Sequence, residues 1–152
     1  MSLSKSEITS AELIERTLDK SPAYRKIDNR LYAVKHGSAY VMINIVPLEP
    51  DRCMVRCAAQ LVKGVDMTGD LALELMKLNS QLRFGAFAFE PKGNLVLFIH
   101  SLLGGATLDP EELIATVSDV ALIADEYDDK IIDKYGGHTM RELLEDAALE
   151  SM

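Results

Sequence analysis

No stretch of this 152-residue chain is apolar for long enough to cross a bilayer, which takes about 20 residues. The N-terminus also lacks the apolar core of a secretion signal. A cytoplasmic setting with no membrane partner is therefore expected. Cysteine is scarce, with Cys53 and Cys57 the only two. On a strand they share a face but stand about 13 Å apart, at roughly 3.3 Å per residue. A disulfide needs Cα atoms within about 7 Å, so an intact strand keeps them unpaired. Two thiols without neighbouring histidines also make a poor zinc site. Their expected role is that of small buried side chains.

Catalytic signatures are missing too. His36, His100 and His138 fall in no metal-ligand motif. There is no serine nucleophile elbow and no pair of catalytic carboxylates. Gly104-Gly105 precedes a helix but lacks the P-loop lysine. Asp109, Glu111 and Glu112 place negative charge where a phosphate would sit. No repeat or low-complexity segment is visible. No cofactor, no metal and no enzymatic activity are expected.

Basic charge is lacking in the last third. From Asp109 to Met152 there are 13 acidic and 3 basic residues, a balance of -10. The first 108 hold 11 acidic and 13 basic, +2, and together they make the net charge of -8. That asymmetry argues against nucleic acid, whose phosphates need a basic surface.

What is present reads as one α+β domain. Residues 1–137 form its body, and 138–152 add a C-terminal amphipathic helix. The clearest element runs from Asp109, a good N-cap followed by Pro110, to Tyr135, before the helix-ending Gly136-Gly137. Leu113, Val117, Val120, Ala124, Tyr127, Ile131 and Tyr135 recur at helical spacing along it. Such a helix would be roughly 40 Å long, so a bend near Asp125–Asp129 is considered. Residues 1–8 are expected to fray. Thr9 and Glu12 have capping-box spacing, which predicts a first helix over 10–20.

Three strands, at 31–35, 39–46 and 53–62, then form an antiparallel meander, turning at His36-Gly37-Ser38 and 47–52. Phe84–Glu90 and Leu95–Leu103 form a second hairpin. Leu95–Leu103 is apolar on both sides, which predicts a central strand covered on both faces. Thr139 and Glu142 predict a terminal helix over 140–150. The fold expected is thus a five-stranded antiparallel sheet with packed helices, in the order α-β-β-β-α-β-β-α-α.

The helix over 70–79 stands out. Asp70, Glu74, Lys77 and Gln81 make a narrow polar stripe, and Leu71, Leu73, Leu75, Met76 and Leu78 fill much of the rest. The apolar arc spans roughly 200°, whereas covering one side of a sheet takes about 100°. These four leucines and one methionine are the candidate homodimer contact. Tyr40, Met42 and Met54, on the other face of the meander, are candidates for partner contact, because methionine surfaces re-pack around varied segments. The bland alternative for these three is burial under the long helix.

This order of elements resembles the type III secretion chaperone fold, and more closely its YbjN-like branch. The likeness covers roughly residues 25–135. It is carried by 78–87 with Asn79, Gly85 and Phe87, by the turn at Gly93, by the strand Leu95–Leu103, by the helix start 108–113, and by 124–128. Members of that branch are described as sensory-transduction regulators and as peptide-binding chaperone-like domains. The resemblance implies a dimeric, non-enzymatic module with a polypeptide client or regulatory partner. The rival expectation is a small-molecule or metal-ion sensor or enzyme using His100 or the Asp125–Asp129 cluster, with Asp125, Asp128 and Asp129 as cation ligands.

Overall fold

In the computed structural model, residues 2–37, 39–140 and 142–143 are described. The chain begins with α1 (Lys5–Leu18) and continues through four strands, β1 (Tyr24–Lys26), β2 (Leu31–His36), β3 (Ala39–Leu48) and β4 (Arg52–Lys63). After α2 (Gly69–Gln81) come β5 (Ala86–Glu90) and β6 (Leu95–Leu103), a short 3-10 turn at Gly105–Thr107, α3 (Pro110–Tyr135) and β7 (His138–Thr139). The sheet is antiparallel, ordered β1-β2-β3-β4-β6-β5, with β7 pairing the end of β4.

The described residues thus hold seven strands, not the expected five. The two unforeseen ones are short and made by their neighbours. β1 reads Tyr-Arg-Lys and is held in register by β2, with Arg25 opposite Ala33. β7 contributes two residues beside Val62 and Lys63. Gly137 (φ +99°) permits its approach, since a Cβ there would lie 2.5 Å from the Val62 side chain. The expected turn over 47–52 shortens, because β3 runs on through Pro47, opposite Cys53, to Leu48. Phe84 falls outside β5, since Gly85 (φ +75°) breaks the extended run.

α1 begins five residues earlier than the Thr9 signal suggests. Ser4 is its N-cap and forms the reciprocal capping box with Glu7. Two boxes of the same spacing stand five residues apart in sequence, and a distant contact selects the first. The buried Glu7 carboxylate accepts a hydrogen bond from Arg30 before β2. That bond holds the carboxyl below its usual range, outweighing the opposing effect of burial. The stability it gives is present above the ordinary glutamate pKa and is lost as pH falls through the lowered value. Residues 5–8 are therefore anchored helix, not frayed chain.

α3 is continuous, without a break near Asp125–Asp129. The Asp109 side chain accepts from the Glu112 N–H at its start, and Gly136 (φ +76°) ends it. The core lies between α1, α3 and one sheet face, formed by Val41, Ile43, Ile45, Val55, Cys57, Ala59, Val96 and Phe98, all buried. Both cysteines are free and buried. Burial pushes the Cys57 thiol up to about 12. At the far end of β4, Ser10 Oγ lies 3.3 Å from Cys53 Sγ and accepts from the Gly105 N–H at 2.7 Å, tying α1 to the β6–α3 connection.

The C-terminal helix expected over 140–150 lies mostly outside the described residues. Its start is present, with Thr139 and Glu142 exchanging the two capping hydrogen bonds.

Candidate functional site

β-strand side chains alternate between faces, so burying one set exposes the other. Opposite the core, Met42, Val46, Met54, Ala58, Leu97 and Ile99 are half-buried, interspersed with Asn44, Arg56, Gln60 and Ser101. The pairing sets Ala33, Met42, Ala58, Ile99 and Ala86 in one row across five strands. Among the described residues no helix covers this face, since the helix-facing residues of the sheet are those of the core. A solvated sheet face is ordinarily polar. This one carries a broad apolar share, which also corrects the reading of β6. That strand lies between β4 and β5, but among the described residues nothing covers its second apolar side.

Tyr40, Met42 and Met54 all lie on this uncovered face and not under α3. Tyr40 lines a recess of about 480 Å³ with Tyr24, Arg25, Ala33 and Lys35. The Lys35 ammonium sits 5.8 Å from the centre of the Tyr40 ring.

α2 stands at the opposite edge of the sheet. Thr68 caps it. The Asn79 side-chain amide accepts from the Phe87 N–H (2.7 Å) and donates to the Phe87 carbonyl (3.2 Å), closing the outer edge of β5 as a neighbouring strand would. Near its start, Glu74 accepts from the Tyr135 hydroxyl at 3.0 Å and pairs with Lys134. These contacts fix the rotation of α2. Of the five apolar residues singled out, Leu71 and Leu75 face the core and are buried, and Leu78 is half-buried against it. Leu73 and Met76 point outward, 56% and 67% exposed. The wide apolar arc therefore divides into one face bound within the chain and one left open.

His100, the centre of the rival reading, lies on β6 opposite Cys57. Its ring stacks on Phe84 at 5.7 Å. An open groove of about 610 Å³ adjoins it, lined by Phe84, Leu103, Thr107, Glu112, Thr116 and Asp119 among others. Asp125 is elsewhere, its carboxylate against Gly37 in the β2–β3 turn. Histidine and acidic cluster are thus not brought together. Among the described residues no three histidine, cysteine or acidic side chains are placed to hold a metal ion, and no helix is long and apolar enough to cross a membrane.

Phe84, Leu103 and Leu122 are exposed apolar residues that periodicity did not single out. Phe84 reads as the first residue of a strand. Leu122 falls off the α3 stripe, and that off-stripe position is the one signal that could have found it.

A family model described as T3SS (YopN, CesT) and YbjN peptide-binding chaperone 1 matches residues 7–143. Among solved structures, a chain in the crystal structure of the ExsC-ExsE complex superimposes with a TM-score of 0.60 at 19% identity, covering 86% of this chain and 97% of that one. At that identity the likeness is one of fold. No curated protein matches the chain.

Proposed function

This chain belongs to the family of T3SS and YbjN peptide-binding chaperones, and from that premise we propose that it is a non-enzymatic homodimer holding segments of other polypeptides in the cytoplasm. The observation that carries this reading is the sheet face with Met42, Val46, Met54, Leu97 and Ile99 and no covering layer among the described residues. Apolar surface removed from water contributes about 25 cal/mol per Å², so a segment laid across that face gains much of its affinity there. Met42 and Met54 suit clients of differing sequence, since an unbranched thioether adapts to the shape it meets. Tyr40 adds a ring with a polar end at the rim. The structural neighbour is described as a complex of ExsC with ExsE, which accords with a polypeptide partner for this chain too.

The self-contact of this reading is the outward side of α2, Leu73 and Met76, with Leu71, Leu75 and Leu78 holding the helix on the body. A two-fold arrangement presents each exposed side chain twice, which suits a short helix with few contacts to spare.

An immobilised library of 15-residue peptides tests the binding reading. The chain is expected to retain a subset rich in apolar residues. The double variant Met42→Glu, Met54→Glu should bind that subset about tenfold or more weakly with its circular dichroism unchanged, because two carboxylates replace the apolar contact. Retention of no peptide by the unaltered chain would refute the reading.

A further inference from the structure

The charged residues of the sheet divide by face. On the helix side, Lys26 of β1 pairs with Glu15 of α1, and Arg30, just before β2, pairs with Glu7. On the uncovered face the outward strand positions carry Arg25, Lys35, Arg52 and Arg56, all exposed. The one carboxylate at such a position is Glu90, at the far edge on β5. Among the described residues no carboxylate pairs with Arg25, Lys35 or Arg56. The chain as a whole has a net charge of -8. Its uncovered sheet face therefore has the opposite sign to the molecule that bears it.

The pairing register arranges these cations among the apolar residues. Lys35 on β2, Met42 on β3, Arg56 on β4 and Leu103 on β6 each lie one strand over and two residues along from the one before. They form one diagonal, alternately cationic and apolar. Each step is about 8 Å, given strands about 4.8 Å apart and about 3.3 Å per residue. At its start, Lys35 and Arg25 line the recess of about 480 Å³ beside Tyr40, and no carboxylate lines it.

We propose that the segments held on this face are acidic, with apolar side chains set between aspartates or glutamates. The apolar side chains meet Met42 and Leu103. The carboxylates meet Lys35 and Arg25 at one end of the diagonal and Arg56 further along it. Every second side chain of an extended segment falls on one side, about 6.7 Å apart, and the long arms of lysine and arginine span the remaining difference. The acidic remainder of the surface repels such a segment, so charge confines it to this face and fixes its register. The inference rests on the peptide-binding reading and names the class of segment taken.

The probes are three capped, fluorescent nine-residue peptides. Each has serine at the even positions and leucine at the third and seventh. The first, fifth and ninth positions are all glutamate, all glutamine or all lysine. Binding to the full chain is followed by anisotropy at low and at physiological ionic strength. At low ionic strength the glutamate peptide should bind about three- to tenfold more tightly than the glutamine one, and at least about tenfold more tightly than the lysine one. The first gap should narrow with salt. Lys35→Gln with Arg56→Gln should weaken the glutamate peptide about three- to tenfold more than the glutamine peptide. Lys130→Gln with Lys134→Gln makes the same charge change on α3, on the helix side of the sheet, and should leave the glutamate preference within about twofold. Equal loss of preference in both double variants would overturn the proposal. So would a preference that fades as protein concentration rises, since acidic residues of a second copy would then take the face. A preference seen only after Glu145→Gln, Asp146→Asn and Glu150→Gln would overturn it too, because the end of the chain would be the occupant. Equal binding of the glutamate and glutamine peptides, or binding of none of the three by a chain that retains library peptides, would sink this inference and leave the broader reading standing.

Discussion

Replacing Gly85 with alanine should lower the stability of the chain by about 2–4 kcal/mol, seen as a fall in melting temperature of about 10 °C with the folded circular dichroism spectrum retained. Gly85 has φ +75°, where a side chain costs roughly 1–2 kcal/mol. The surroundings add to this. A Cβ built there lies 2.7 Å from two atoms of the Phe98 ring and 2.9 Å from the Ile99 carbonyl oxygen. Phe98 cannot yield easily. It is buried and packs edge-on against Phe87, which in turn meets Tyr127 of α3. The substitution therefore presses on the junction of α2, β5, β6 and α3. A melting temperature within about 2 °C of the unaltered chain would show that this junction relaxes at little cost.

The second large effect concerns self-association. The double variant Leu73→Glu, Met76→Glu should weaken dimerisation at least about 100-fold and sediment as a monomer at micromolar concentration. Each side chain is more than half exposed in the single chain. Burying a leucine or methionine is worth about 1.5–3 kcal/mol, and a two-fold contact counts each substitution twice. The melting of the monomer itself should change little, because Leu71 and Leu75 form the core-facing side of α2 and are untouched. A variant that remains dimeric would move the contact to another surface. A variant that unfolds would show that the outward side is structural.

These expectations indicate where the sequence was informative. α3 was legible because its signals are local: an N-cap aspartate, a proline at the first position, a helical stripe and a glycine pair. The strands read at 39–46 and 53–62 were legible for a similar reason, since alternation over eight to ten residues leaves little room for a different register; their extensions to Leu48 and Arg52 were not. β1 and β7 were not, because two or three residues carry no period, and only pairing with a formed neighbour makes them strands. The start of α1 was misread because Ser4–Glu7 and Thr9–Glu12 carry equal signals, and the Arg30 bond that selects the first is 23 residues away.

The candidate surfaces follow the same rule. The breadth of the α2 apolar arc was visible in sequence. Its division into Leu71 and Leu75 within, and Leu73 and Met76 without, depends on Asn79 locking the helix to β5. The two apolar sides of β6 were visible as well, but covered and uncovered faces look alike in one dimension.

The central claim is that the uncovered sheet face of this chain exists to hold other polypeptides. The most direct measurement is a spectrum of the chain with carbon-13 in its methionine methyl groups, recorded as a peptide retained from the library is added. The account predicts that the Met42 and Met54 signals move in proportion to bound peptide, while Met76 responds to protein concentration instead. If Met42 and Met54 stay fixed while the peptide binds, the face is not the binding surface and the account is wrong.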